Sequence, residues 1–123
     1  MPQEQRAIHH MSIQEITRIA EETGATAQSK ANRIKGWNLI CCLYSESRSR
    51  EEDLVHAYAV EAREVCIAGL RLVYARAEAG LRGNKERYAR LGRTIEQLFE
   101  REMYLSSLCR ESIKKTKAGK EVA

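Results

Sequence analysis

The sequence predicts an all-α fold: a helical bundle built on a long antiparallel helix hairpin, about 50–79 and 85–115, with one or two N-terminal helices over 12–44. Three observations predict it. Proline occurs once, at Pro2, so no later position lacks the N–H donor that a helix interior needs. Charged residues make up 31% of the 123 and aromatic residues 6%, a balance that suits long amphipathic helices better than a compact α/β enzyme. Apolar residues recur at three- and four-residue spacing along most of the chain, and no segment reads as a strand. The length is that of one domain with a modest core. Residues 1–123 therefore read as a single helical domain, with flexible tails at 1–11 and 116–123.

Each element has its own signals. Ser12-Ile13-Gln14-Glu15 is a capping box, in which the serine and the glutamate satisfy the first unpaired N–H groups. Ile13, Ile16 and Ala20 follow at helical spacing. Gly24 marks an end or a bend, after which Ala27, Ala31, Ile34 and Cys41 resume the pattern, widened by Trp37, Ile40 and Tyr44. Ser45 to Ser49 is a polar break. Ser49-Arg50-Glu51-Glu52 is a second capping box, and its acids, with Asp53, suit the positive end of a helix dipole. Leu54 to Ala79 is apolar over most of its circumference, with a narrow polar stripe of His56, Arg63, Glu64, Arg71 and Glu78, so it reads as the central helix. Gly80-Leu81-Arg82-Gly83-Asn84 is a tight turn, with Asn84 capping a last helix whose stripe runs from Tyr88 and Leu91 to Cys109 and Ile113.

A short turn between two long helices makes an antiparallel hairpin. Centred near residue 82, it sets residue i level with roughly 164 − i. Lys114 and Lys115 then come to the Glu51–Asp53 end, and Glu102 comes level with Arg63. Glu102 falls within the apolar stripe, and a buried carboxylate needs a partner; Arg63 is the expected one. So narrow a core on helices this long predicts a homo-oligomer, a dimer first, joined through the apolar face of residues 54–79.

No apolar run approaches the roughly 20 residues of a membrane span, and the N-terminus lacks a basic-then-apolar secretory pattern, so the expected location is the cytoplasm, without membrane. Cys41, Cys42, Cys66 and Cys109 form no C-x-x-C pair and read as buried free thiols. His9 and His10 are adjacent, and so about 100° apart on a helix; they do not converge on a metal ion. No metal and no cofactor is implied.

The formal net charge is +4, and it concentrates in residues 84–123, with ten Lys/Arg against six Asp/Glu. Such an excess permits an anionic partner without requiring one. Two rows of basic residues are the candidates for contact with a phosphate backbone: Lys30, Arg33 and Lys35, and Arg87, Arg90 and Arg93. Residues 17–36 carry the Ala20–Gly24 separation of a helix-turn-helix, with Gln28, Ser29 and Asn32 placed to read base edges. Lys30 and Arg33 stand where apolar residues usually follow that glycine; Ala31 and Ile34 come one step later. Finally, Arg50 is followed by five residues and His56. This spacing resembles the Arg-x4–6-His signature of the HEPN family of small helical ribonucleases and their relatives, over these seven residues. Glu51 stands where the family's Asn or Asp usually follows the arginine. The resemblance implies an arginine and a histidine acting on the scissile phosphate of RNA.

The expected function is that of a non-enzymatic, oligomeric helical protein binding nucleic acid or a ribonucleoprotein through basic helix edges. An adaptor or inhibitor that covers a protein surface with a helical face is the alternative, and a ribonuclease using Arg50 and His56 is the third reading.

Overall fold

The computed structural model describes residues 11–46 and 49–116. They form α1 (Ile13–Leu43), α2 (Arg50–Leu81) and α3 (Lys85–Lys114), and no strand. The three N-termini are capped as the sequence predicts. Ser12 Oγ accepts from Glu15 N at 3.1 Å, Ser49 Oγ from Glu52 N at 3.2 Å, and Asn84 Oδ1 from Arg87 N at 3.1 Å. Each satisfies one N–H that has no partner inside its helix. The α2–α3 turn closes on Gly83, whose φ of 74° is left-handed. Gly83 N donates to Gly80 O at 3.1 Å and Asn84 N to Ala79 O at 2.9 Å, the paired bonds of a Schellman end.

The hairpin register is the expected one. Arg76 Nε donates to Tyr88 O, and the Cys109 thiol lies 3.8 Å from Val55 O; both pairs are level under the 164 − i relation. α2 is central, packing on α3 along one side and on α1 along the other. Its buried seam is Val55, Ala59, Ala62, Cys66, Gly69 and Val73, alternating four and three residues apart. That is the spacing that keeps one stripe of a helix facing its neighbours. The seam side chains are small, so the helices approach closely around few large groups, chiefly Trp37 and Leu105.

Several expectations are corrected. α1 runs unbroken through Gly24, which removes the turn that a helix-turn-helix at 17–36 requires. A glycine inside a helix costs only about 1 kcal/mol. Ile19 on one side of it and Ala27, Trp37 and Cys41 on the other share one buried face, and that packing carries the helix through. Cys41, Cys66 and Cys109 are buried, but Cys42 is exposed. Thr116 is buried at the end of α3, its Oγ donating to Ile113 O at 2.7 Å. Lys114 reaches Glu111 of its own helix at 3.5 Å. Among the described residues, no helix is long and apolar enough to cross a membrane.

Candidate functional site

The chemically richest place in the bundle is a polar layer at mid-height. Glu102 sits on the α3 seam with no exposure to solvent. Its carboxylate accepts from Arg33 Nε at 2.9 Å, from Arg33 Nη2 at 3.4 Å and from Trp37 Nε1 at 2.9 Å. Both donors come from α1, one turn apart, so the pair spans the gap between α1 and α3. The expected partner, Arg63, is elsewhere: it donates to Asn38 Oδ1 at 3.2 Å and lies 3.5 Å from Glu64. The register does bring Glu102 level with residues 62 and 63, but Arg63 leaves α2 toward α1, and Arg33 crosses from α1 instead.

Lys30 joins the same layer. It is 3% exposed, and its ammonium lies against Gly69 of α2, 3.2 Å from where a Cβ would stand. An added methyl would need the ammonium to give by a few tenths of an ångström. Lys30 Nζ is 5.7 Å and Arg33 Cζ 5.1 Å from the centre of the Phe99 ring, within the range of cation–π attraction. Burial, then the neighbouring Arg33 charge, hold Lys30 below the ordinary lysine value. Burial, then the Glu102 carboxylate, push the Cys66 thiol up to about 11. The layer therefore keeps a thiol protonated and a carboxylate fully bonded, the condition of a structural cluster rather than of an exposed nucleophile. Beside it, an open hollow of about 390 Å³ lies between α1 and α3, lined by residues that include Ser29, Ile95 and Phe99.

The six basic candidates thus divide. Lys30 is buried and Arg33 is held by Glu102, while Lys35 is exposed. Arg87, Arg90 and Arg93 are all exposed on α3, and among the described residues no carboxylate pairs with any of them. By contrast Arg18, Arg63, Arg82 and Arg101 each have an acidic partner. Arg76 stacks on the Tyr88 ring at 4.0 Å, in the space left by Gly92, where a Cβ would stand 3.1 Å from its guanidinium. Gly92 therefore serves packing inside the hairpin.

Arg50 opens α2 and is exposed; His56 is half-buried. Six residues apart on one helix, they leave the axis about 120° apart and roughly 9 Å along it. No group of three potential metal ligands occurs among the described residues; His9 and His10 lie outside them.

Sequence reasoning missed Trp37 and Phe99 as parts of the polar layer. The signal was the three- and four-residue spacing of Ala27, Lys30, Ile34, Trp37 and Cys41, which puts Lys30 on the buried face of α1. No family model, no curated protein and no solved structure matches this chain.

Proposed function

We propose that this protein is a non-enzymatic helical module that binds nucleic acid through the outer edge of α3. One observation carries the reading: Arg87, Arg90 and Arg93 form an exposed row that no carboxylate of the described residues neutralises, in a bundle where most other arginines are paired. At i, i+3 and i+6 they span about 120° of the helix surface, and Tyr88, Leu91 and Ile95 turn toward the bundle. Unpaired guanidinium groups in a row suit a phosphate backbone, which supplies affinity with little sequence choice. Lys85, two residues before Arg87 on the same helix, is exposed as well.

The test is binding of unrelated RNA and duplex DNA at low and high salt. The triple change of Arg87, Arg90 and Arg93 to alanine is expected to weaken all sequences by a similar factor and to make the salt slope shallower by about 2 to 3. Helix content is expected to survive, since alanine is a good helix former. Full affinity in the triple variant overturns the assignment of these residues. If the parent binds neither nucleic acid at low salt, the second reading takes its place: an adaptor that covers a partner protein with a helical face. The exposed Leu39, Leu43 and Phe99 favour that reading.

A further inference from the structure

α2 spends its small-residue seam on α1 and α3, and the opposite side of the helix is left facing outward. Ala57, Glu64 and Arg71 are exposed there at heptad spacing, along one line of the helix. Glu64 has only the 3.5 Å contact with Arg63, its neighbour in sequence, and its side chain is 62% exposed. Arg71 pairs with no carboxylate among the described residues. One flank of this line carries Val60, Ile67 and Tyr74, again seven apart; the first two are half-buried and Tyr74 is 58% exposed. The other flank carries Ala68 and Ala75, small enough for a close helix–helix approach.

We propose that a second copy of this chain docks antiparallel on the outer face of α2, about a two-fold axis beside Ile67 and Ala68, with Glu64 of each copy paired to Arg71 of the other. That axis sets residue i level with roughly 135 − i of the second copy. Glu64 then meets Arg71 twice, once on each side of the axis. Ile67 meets Ala68 of the second copy, and Val60 comes level with Ala75. The pattern is isologous, as a two-fold dimer demands. A parallel, in-register pairing is disfavoured, because it sets Glu64 against Glu64 and Arg71 against Arg71. The 32 residues of α2 give a contact line about 48 Å long. This surface adjoins the arginine row on α3 where Ala75 and Arg87 line one hollow, but shares no residue with it, so either proposal can fail while the other stands.

Sedimentation equilibrium of the full chain, without nucleic acid, tests it. The parent is expected to be a dimer at micromolar concentration. Arg71→Glu and Glu64→Arg, each alone, place like charges across the axis and are expected to weaken the dimer by about tenfold or more. The double exchange, Glu64→Arg with Arg71→Glu, restores the pairs and is expected to return the parent's affinity. Both side chains are exposed, so helical circular dichroism is expected to stay at the parent's value in all three variants. Three results overturn the proposal: a parent monomeric at 100 µM (about 14 kDa by mass), a dimer that survives both single reversals, or a double exchange that fails to restore it.

Discussion

Replacing Glu102 by alanine tests the polar layer directly. The carboxylate is fully buried and takes three hydrogen bonds, two from Arg33 and one from the Trp37 indole. Removing one partner of a buried ion pair costs about 3–5 kcal/mol, because the other charge is left uncompensated. The Arg33 side chain is 26% exposed and can turn part of its guanidinium to water, which moves the expectation to the low end of that range. The indole N–H loses its acceptor at the same time, which keeps the loss from falling below that range. The expected loss is therefore about 3 kcal/mol. Urea unfolding reads it, followed by helical circular dichroism and by the fluorescence of Trp37, the chain's one tryptophan. With a slope near 1.5–2 kcal/mol per molar for a chain of this size, the midpoint falls by about 1.5–2 M. Glu102→Gln keeps an acceptor for the indole but loses the charge, and is expected to lose about half as much. A midpoint for the alanine variant within about 0.3 M of the parent refutes the reasoning, since the Arg33–Trp37–Glu102 contacts then contribute nothing to folding.

Two further predictions concern glycines and thiols. Gly24→Ala is expected to stabilise the bundle by about 0.5–1 kcal/mol, since nothing lies within 4 Å of the added methyl and alanine favours the helix; Gly80→Ala is expected to destabilise it, because the methyl would stand 2.9 Å from the Tyr88 ring. Opposite shifts in melting temperature check the pair. At pH 8 a thiol reagent is expected to titrate one cysteine rapidly, Cys42, with Cys41, Cys66 and Cys109 reacting only as the chain opens; a second fast thiol, or a fast phase that survives Cys42→Ser, means that the seam is open. Because folding holds the Cys66 thiol at about 11 against the ordinary 9.0, that group's contribution to stability is full below pH 9 and is lost as the pH rises toward 11.

What the sequence made legible was local. Ser12, Ser49 and Asn84 cap their helices because each motif needs only the next three residues, and a five-residue turn ending in Gly83-Asn84 set the hairpin register. Gly24 misled because its intrinsic penalty is smaller than the packing energy of the helix it interrupts. The burial need of Glu102 was legible from its apolar neighbours in α3. Its partner was not, because the choice between Arg33 and Arg63 depends on where α1 docks, which no local pattern states. Lys30 read as part of a basic edge because its long stem hides on an apolar face while its charge looks solvated in sequence. The exposure of Arg87, Arg90 and Arg93 was legible, since Tyr88, Leu91 and Ile95 define the opposite side of that helix.

The polar layer also answers a problem that the small seam creates. Ala59, Ala62, Cys66 and Gly69 are so similar in size that sliding α1 by one heptad would still set small apolar groups against small apolar groups. Apolar burial alone therefore separates such registers weakly. Glu102 separates one of them strongly. The slide that puts Ile40 in the place of Arg33 puts Tyr44 in that of Trp37, and a buried carboxylate without a cation costs several kcal/mol; the opposite slide puts Thr26 in the place of Arg33 but Lys30 in that of Trp37, where it still meets the carboxylate. Gly69 acts in the same sense. The slide that takes the cation from Glu102 also brings Arg76 in place of Gly69 under Lys30, one cation against another. Two contacts on different helices thus penalise the same displacement. The layer contributes less to stability than well-packed apolar residues would, because Lys30 and Glu102 must first leave water. Its effect lies in the energy gap between the native register and its neighbours, which is how a single polar position fixes alignment in paired helices. An apolar replacement of the whole layer would then raise the midpoint of unfolding while bringing the slipped registers nearer in energy to the native one.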